Sequence, residues 1–458
     1  MKRNIIKRLA VVSVAGLIFL TACSKDESAN TQGFTHALEE EQVKAEEALE
    51  TYEEASEALE KAAEKKEEAA SEEAVNENNN AEGAAVEMGA VPGLPGFIVE
   101  GSTELPGYFF ISFVYSRNII MMDGKGTVVW SKHEEQPSED ALTGWWDFKK
   151  HVIDGKTYYS YHDQIADYDN FGFEGFAPGD RVILDENFNE VKRIRFEESD
   201  TVEKGHPLDG HDFLMIDLDH YFLSGYLKDT VYNHPDYPDG SSVVYSYIQE
   251  VDHDRKVWDF KSVDYPELYD LVVTYGSDTA DDFANEKTDV PDIVHFNAMR
   301  LDDEGNLICS FRHLSTILCL DRTKDTDQIK WKLSGKGDDF SLSDDQKTCC
   351  QHYVTVDGDD VMVFNNGNQD KKTDIRIYSL DKENMKAKDV KILTVPGKFS
   401  SACGDVQRIT DDIYMLGWGK SENDGKCMSV YDFVADKELM SVTLENPKSF
   451  TYRCVYYE

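Results

Sequence analysis

A unit of apolar strands and Asp-, Asn- or Gly-rich turns recurs six times between residues 91 and 458. Each copy contains an apolar strand, a short gap, a second apolar strand, a turn and a third strand. Such a unit, returning at intervals of roughly 50 to 85 residues, is typical of a β-propeller, where each copy forms one blade. The sequence therefore predicts an all-β fold, a six-bladed β-propeller, over residues 91–458. The copies lie at 108–132, 157–196, 221–260, 306–333, 360–393 and 412–444.

One strand is left over after the last copy. It reads FTYRCVYY and covers residues 450–457. Because a propeller is stable only when its first and last blades are joined, we expect this strand to complete the first blade and close the ring.

The first 23 residues have the pattern of a bacterial lipoprotein signal peptide. Four basic residues precede an apolar run from Leu9 to Leu20, which is too short to span a bilayer comfortably. The run ends in Leu-Thr-Ala-Cys, which resembles a lipobox with Cys23 as the acylated residue. An uncleaved anchor helix is the alternative. Either reading predicts export, with the protein lipid-anchored or otherwise tethered at the extracytoplasmic face of the cell membrane.

Residues 24–90 differ in composition from the rest of the chain. They contain 20 acidic and 5 basic residues, and their Ala, Glu and Lys residues favour helix. Leu38, Ala45, Tyr52 and Leu59 recur every seven residues, but a seam rich in alanine buries little area. We therefore predict an acidic helical stalk followed by a flexible linker, with weak self-association of the helix as the alternative.

Charge and cysteine content exclude several classes of function. A formal net charge of −42 argues against binding to nucleic acid and against protein-mediated docking on anionic lipids. We therefore expect membrane contact through the lipid anchor only. Apart from Cys23, seven cysteines remain, and no CxxC spacing occurs. Buried free thiols are the favoured interpretation, since the adjacent pair Cys349–Cys350 would form only a strained ring.

Three histidines occupy the same position in three consecutive repeats. His211, His295 and His352 each lie just upstream of the first apolar strand of a copy. Equivalent positions in successive blades are related by rotation about the central channel, so we expect the three imidazoles to converge at one end of it. The alternative for each is a structural histidine bonded to neighbouring polar groups. Asp292 and Asn297 are candidate partners that would orient His295.

Arg312 follows His295 by 17 residues, on the second strand of the same blade, where burial is costly unless an anion is bound. Strand alternation predicts that His313 points to the opposite face and packs between blades. Three histidines alone would suit zinc or copper. A guanidinium beside them would repel such a cation and attract a sulfate, phosphate or carboxylate. This arrangement favours an anion over a metal.

These segments resemble the bacterial aryl-sulfate sulfotransferases. The resemblance covers roughly residues 91–458 and rests on "DIVHFNAM…SFRHLSTILCLD…IKWKLSGKGDDF", "CCQHYVTVDGDDVMVFNNGN" and "ELPGYFFISFVYSRNIIMMDGKGTVVW". It implies a six-bladed propeller in which one histidine becomes sulfated during turnover. Matched by motif, that residue is His352, accompanied by His295 and Arg312, while the remaining histidine is His211 or the nearby His206. The chain has Asn365 where members often have Asp.

The resemblance implies ping-pong transfer of a sulfuryl group from a phenolic sulfate ester to a phenol acceptor. His352 would attack sulfur, and Arg312 would neutralise the sulfuryl oxygens. His211 and His295 would donate to those oxygens or protonate the departing phenolate. No nucleotide sulfate donor, cofactor or metal is implied. The alternatives are a non-catalytic propeller lipoprotein that binds a ligand or partner, and a metal-dependent hydrolase with three histidine ligands. Residues 91–458 carry 69 acidic and 38 basic residues, so an anionic substrate requires a locally positive channel.

Overall fold

A computed structural model describes residue 94 and residues 96–137, 143–165, 175–235, 237–273, 292–446 and 448–458. The predicted signal peptide, the lipidation site Cys23 and the predicted stalk over residues 24–90 lie outside the described residues. In these described stretches no helix has the length and apolar character needed to cross a membrane.

The described residues form six antiparallel sheets, accompanied by short 3-10 helices at Ser262–Asp264, Pro266–Leu271 and Asp344–Gln346. The first strands in chain order are β1 (Phe97–Gly101), β2 (Tyr108–Phe113), β3 (Asn118–Met122), β4 (Val128–His133), β5 (Trp145–Ile153), β6 (Lys156–Gln164), β7 (Pro178–Leu184), β8 (Glu190–Ile194), β9 (Leu208–Asp209), β10 (Leu214–Met215), β11 (His220–Val231), β12 (Ser241–Asp252) and β13 (Lys256–Lys261). The others are β14 (Phe296–Leu301), β15 (Leu307–Phe311), β16 (Thr316–Leu320), β17 (Ile329–Leu333), β18 (His352–Asp357), β19 (Asp360–Asn365), β20 (Asp374–Asp381), β21 (Lys386–Leu393), β22 (Asp405–Arg408), β23 (Ile413–Gly417), β24 (Lys426–Asp432), β25 (Lys437–Leu444) and β26 (Thr451–Tyr457).

Each sheet is one blade of a six-bladed β-propeller, which confirms the predicted fold class. Numbered along the chain, blade 1 is β26-β2-β3-β4 and blade 2 is β5-β6-β7-β8, with β9 beside β7. Blade 3 is β10 to β13, blade 4 is β14 to β17 and blade 5 is β18 to β21. Blade 6 is β22-β23-β24-β25-β1.

Two strands close the ring, one from each end of the propeller sequence. The leftover strand β26 pairs with β2 from Tyr457 opposite Tyr108 to Thr451 opposite Phe113, as the sequence predicted. The sequence did not predict that β1 pairs with β25 and becomes the outermost strand of blade 6. The chain therefore passes between blades 6 and 1 twice, once from β1 to β2 and once from β25 to β26.

The strands in the middle of each blade are apolar on both faces because neighbouring blades cover both. β3 (NIIMM) and β16 (TILCL) are buried at every residue. Outermost strands such as β17 (IKWKL) and β21 (KAKDVKIL) expose charged side chains instead. Lysines on these edges oppose pairing with other chains.

One turn is repeated at the strand connections of three blades. The Oδ1 atoms of Asp123, Asp185 and Asp302 each accept hydrogen bonds from the backbone N–H groups two and four residues later, over 2.8 to 3.0 Å. An aspartate that bonds its own backbone in this way fixes a tight reversal. The Asp-rich turns that marked the repeat in the sequence thus define where strands end.

The seven described cysteines form no disulfide with one another. Six are buried, and Cys349 is partly exposed.

Candidate active site

The three histidines in equivalent repeat positions lie at the start of the innermost strands of blades 3, 4 and 5. His211 stands three residues before β10, His295 directly precedes β14, and His352 is the first residue of β18. All three are buried. The ring centroids of His211 and His295 lie 4.9 Å apart, and the charges of both rings influence His352. His206 lies against Phe196 instead, so the geometry brings His211 rather than His206 to this cluster.

Two of these rings are oriented by buried carboxylates. The Nδ1 atom of His211 is hydrogen-bonded to Oδ1 of Asp209, and Nδ1 of His295 lies 2.6 Å from Oδ2 of Asp292. Burial opposes the ionisation of Asp209, but the charge and the hydrogen bond of His211 outweigh it and lower the pKa of this carboxyl. At Asp292 burial prevails and raises the pKa. The two His–Asp pairs therefore differ in how readily the carboxylate ionises.

The third ring, His352, is held by an amide rather than a carboxylate. The side-chain Nδ2 of Asn366 donates to the carbonyl oxygens of Ser400 (2.9 Å) and Cys403 (3.1 Å), which leaves its Oδ1 facing Nδ1 of His352 at 2.8 Å. An amide oxygen only accepts, so Nδ1 of His352 carries the hydrogen. The backbone N–H of Cys403 donates to Nε2 of His352 over 3.3 Å. Both contacts select the neutral tautomer whose lone pair is on Nε2.

Arg312 supplies the buried positive charge of the cluster. Strand β15 ends at Phe311, so Arg312 lies in the following turn and not on the strand as the sequence suggested. Its Nη2 donates to the carbonyl oxygen of Ser401 over 3.3 Å, and the residue is 4% exposed. Burial and the charge of Arg312 together hold the pKa of His352 well below 6.5. For His295, burial and the charges of His211 and Arg312 act in the same direction.

His313 belongs to the site, which corrects the prediction that it packs on the opposite face. Alternation of side chains fails here because the strand ends at Phe311 and a turn follows. The His313 ring stacks on His295 with centroids 4.6 Å apart, and its Nδ1 donates to the carbonyl oxygen of Asp292 over 2.9 Å. Burial lowers the pKa of His313 to about 3, so it is neutral at neutral pH.

The geometry of possible metal ligands differs from the arrangement that three histidines would give. In the described stretches, the group whose ligand atoms lie within 4.8 Å of one another is Asp292, His295 and His313, rather than the trio with His211 and His352. Nδ1 of His313 faces a carbonyl oxygen and therefore carries hydrogen instead of a lone pair. The charge of Arg312 acts on both histidines of this group. Nε2 of His313 keeps a lone pair that a metal could use, so the charge of Arg312 is the feature that opposes a cation at this group.

Asn297, expected as a partner of His295, has another role. Its Nδ2 donates to the carbonyl oxygen of Gln351 over 2.8 Å, which joins the inner strands of blades 4 and 5 beside His352. The backbone carbonyl oxygen of Asn297 accepts a hydrogen bond from Nη2 of Arg453 over 2.7 Å. Asn297 therefore couples the histidine cluster to a second, charged layer.

That second layer is a buried ionic cluster that the sequence did not reveal. Asp147 and Asp212 sit at its centre and are ion-paired to four cations from blades 1, 2 and 4. The cations outnumber these two carboxylates, so the cluster has a net positive charge despite the acidic surface. It adjoins the histidines because Tyr452, next to Arg453, donates its hydroxyl to the carbonyl oxygen of His211 over 2.6 Å. The four cations are Lys149, Arg181, Arg300 and Arg453.

Five of the seventeen described non-glycine residues with left-handed backbone conformations lie at the site or beside it. Such conformations cost about 1–3 kcal/mol each in residues other than glycine and persist where the surrounding structure imposes them. Around the site they occur in the segments that carry the cluster residues or adjoin them. The residues, with φ between 51° and 61°, are His295, Ser315, Cys350, Tyr353 and Cys403.

Solved structures that align with this chain share little sequence with it. A protein of unknown function from Bacteroides caccae aligns at 9% identity and a TM-score of 0.41, covering 77% of this chain and 100% of that one. The periplasmic gluconolactonase of Pseudomonas aeruginosa aligns at 12% identity and a TM-score of 0.41, covering 77% and 99%. Virginiamycin B lyase of Staphylococcus aureus aligns at 9% identity and a TM-score of 0.32, covering 76% and 99%. TM-scores below 0.5 support no conclusion about function.

No curated protein matches the chain. A family model described as arylsulfotransferase (ASST) matches residues 169–423, which is more than half of the sequence. The matched region contains His211, His295, Arg312 and His352, the residues around which the site is built. The protein is therefore a member of the arylsulfotransferase family.

Proposed function

We propose that this protein transfers a sulfuryl group from a phenolic sulfate ester to a phenol by a ping-pong mechanism in which His352 is the nucleophile. Family membership supports aryl sulfotransferase activity in general. The observation that carries the finer proposal is the fixed tautomer of His352, with Nδ1–H directed at Asn366 and the lone pair on Nε2. A neutral imidazole nitrogen is a competent nucleophile, and this one is protected from protonation by burial and by Arg312.

In the first half-reaction, Nε2 of His352 releases its long hydrogen bond from the N–H of Cys403 and forms a bond to sulfur while the bond between sulfur and the aryl oxygen breaks. The guanidinium of Arg312 neutralises charge on the sulfuryl oxygens, as cationic groups do in related phosphoryl transfers. His211, whose ring is oriented through Nδ1 by Asp209, supplies a proton to the departing phenolate. For neutral His295 to donate from Nε2 to the sulfuryl oxygens, the proton it shares with Asp292 must lie on the carboxyl, whose pKa burial raises.

In the second half-reaction, an acceptor phenol returns its proton to His211 as its oxygen attacks sulfur and the bond between nitrogen and sulfur breaks. The enzyme regains its initial state, and no nucleotide donor, cofactor or metal enters the balance. The buried cluster around Asp147 and Asp212 supports binding of anionic donors, because its excess positive charge offsets the acidic surface locally.

The proposal is tested with 4-nitrophenyl sulfate as donor. Donor alone should give a burst of about one equivalent of 4-nitrophenol, and a phenol acceptor should then permit steady turnover with parallel double-reciprocal plots. Mass spectrometry of donor-treated protein should find one sulfuryl group on the peptide containing His352. Steady release without an acceptor would indicate a sulfatase, and loss of activity with a chelator would indicate a metal-dependent hydrolase. Binding without release would indicate a non-catalytic propeller.

The acidic limb of the pH profile is expected below pH 6.5. An unperturbed histidine nucleophile would be half protonated at about pH 6.5, but burial and Arg312 lower the pKa of His352, so it stays neutral at that pH. In Arg312→Gln one cause of the lowering is removed, so the limb should move to higher pH. The measurement is kcat/KM for 4-nitrophenyl sulfate between about pH 4 and pH 8, a range that includes the unperturbed histidine pKa of about 6.5.

Asp405 requires a control in that experiment. Burial raises the pKa of Asp405 to about 7, and its carboxyl accepts a hydrogen bond from the backbone N–H of Cys454. Asp405→Asn keeps an acceptor at this position and removes the titration. A wild-type limb centred at or above pH 6.5 that survives in Asp405→Asn would contradict the assignment of His352.

Asn366→Ala is expected to slow the first half-reaction by about 10²-fold, because the ring loses the acceptor that fixes its tautomer and orientation. Asn306→Ala is the matched control, since Asn306 is also a buried asparagine but bonds only within the Asp302 turn and to neighbouring side chains of its own blade. The measurement is the burst rate with 4-nitrophenyl sulfate in both variants. Equal rates in both would show that the Asn366 contact does not position the nucleophile.

We also propose that the protein is lipid-anchored at the extracytoplasmic face of the cell membrane through Cys23. The basis is the signal-like sequence of residues 1–23. Cys23→Ser is expected to move sulfotransferase activity from the membrane fraction to the soluble fraction of the cell envelope. Retention of the variant in the membrane fraction would favour the uncleaved anchor helix.

A further inference from the structure

Two adjacent cysteines lie at the edge of the site and have no part in the proposed reaction. Cys349 and Cys350 immediately precede Gln351 and His352, and their Sγ atoms are 3.9 Å apart. Cys349 is the one described cysteine that is partly exposed, whereas Cys350 is buried beneath it. A reagent approaching from solvent therefore meets Cys349 first.

The backbone holds both thiols in place. The N–H of Cys349 donates to Oδ1 of Asn365 over 2.7 Å, and its carbonyl oxygen accepts from the N–H of Gly367 over 2.9 Å. The N–H of Cys350 donates to Oγ of Ser315 over 3.1 Å. A disulfide between adjacent cysteines would require these bonds to yield, because the sulfur atoms must approach to about 2 Å. A larger atom that bonds both sulfurs would not require these hydrogen bonds to yield, because the two sulfur atoms need not approach each other as closely.

Cys349 combines its partial exposure with a lowered pKa. The hydrogen bond with Cys350 lowers the pKa of Cys349 to about 7. The charge of Arg312 acts in the same direction, and burial opposes both. The other close pair, Cys427 and Cys454, is fully buried, and burial raises the pKa of Cys454 well above its usual value. Thiolate character and access together decide which cysteines react.

We propose that Cys349 and Cys350 form a dithiol site for trivalent arsenicals of the type R–As=O. Each thiol forms one As–S bond, the As=O bond breaks, and the two thiol hydrogens leave with that oxygen as water. Arsenic remains trivalent, so no oxidant or reductant is needed.

Occupancy of this site should inhibit sulfuryl transfer, a consequence that rests on the proposed function. Cys350 is joined to Arg312 through two hydrogen bonds, since Ser315 accepts from Cys350 and the N–H of Ser315 donates to the carbonyl oxygen of Arg312 (3.1 Å). His352 follows Cys350 by two residues. A bridging arsenical with its organic group would therefore lie against the turn that positions Arg312 and beside the strand that carries the nucleophile.

The test is titration of the intact protein with phenylarsine oxide, read by native mass spectrometry. One phenylarsenic group should add with the loss of two hydrogens and should be removed by 2,3-dimercaptopropanol but not by 2-mercaptoethanol. Cys349→Ser and Cys350→Ser should each bind at least about 10²-fold more weakly, because a single thiol loses the effective concentration of its neighbour. Cys427→Ala, which removes a thiol from the buried pair, should bind like the wild type.

The release of 4-nitrophenol is measured in parallel. Activity should be lost in the wild type in proportion to adduct and kept in Cys349→Ser, which lies outside the proposed catalytic groups. An absent adduct, or equal uptake by Cys349→Ser and wild type, would overturn the site. Full activity with a complete adduct would overturn its effect on transfer. If the wild type transfers no sulfuryl group, the mass measurement still decides the dithiol site, so failure of the two proposals can be distinguished.

Discussion

His352→Ala is expected to abolish acceptor-dependent release of 4-nitrophenol, with a loss in kcat of about 10⁴-fold or more. The magnitude follows because removal of a covalent nucleophile leaves only binding and electrostatic assistance from the remaining site. Arg312 and the other histidines stay in place, so the donor should still bind. The measurements are the burst, the steady rate and the affinity for donor in one preparation of protein.

The matched control is His206→Ala. His206 lies near His211 in sequence, but its ring lies against Phe196, so its removal should leave kcat within about twofold of the wild type, as is usual for a residue outside the reacting groups. A His352→Ala variant that retains more than about one-tenth of the wild-type rate would refute the nucleophile assignment, because assistance by other groups alone does not sustain such a rate. An equal loss in His206→Ala would refute the placement of the site.

Asp212→Ala is expected to lower the free energy of unfolding by about 3–5 kcal/mol, the usual cost of breaking a buried ion pair from one side. Asp212 is paired to Lys149, Arg300 and Arg453 and accepts a further hydrogen bond from the backbone N–H of Met299. Without it, a cluster that already has excess positive charge loses half of its central carboxylates. Equilibrium unfolding in urea, analysed with a common slope, measures the change.

Asp359→Ala serves as the control for that measurement. Asp359 forms exposed ion pairs with Lys382 and Lys388, which contribute at most about 1 kcal/mol. Comparable losses in the two variants would show that the buried cluster contributes no special stability. Raising the salt concentration should diminish the small effect at Asp359 and leave the effect at Asp212 largely unchanged, since buried charges are poorly screened.

The blades and the convergence of the histidines could be predicted because both depend on the repeat. Each copy shows the same sequence of strands and turns, and rotation about one axis relates His211, His295 and His352. The orientation of their rings was harder to predict from the sequence. Asp292 was identified from its spacing to His295, whereas Asn366 contacts His352 from across a hairpin, where spacing in the sequence gives no signal.

The buried ionic cluster was not predictable, because its members are distant in sequence and individually resemble surface charges. Asp147 and Arg453 are 306 residues apart and yet 2.8 Å from each other. The error at His313 had a local cause, since the alternation rule was applied beyond Phe311, where the strand ends. The second closing strand, β1, was missed because FIVEG is short and lacks the repeated turn that marks the others.

The placement of β26 as the first strand of blade 1, beside β2, has a consequence for biosynthesis. A nascent chain cannot complete its first blade until its final strand has left the ribosome, so the ring closes only after translation has passed residue 457. The same strand brings Tyr452 to the backbone of His211 and Arg453 to Asp147. Chains that lack β26 therefore lack both the closed ring and a supported site, which delays any reactivity until that strand has been made.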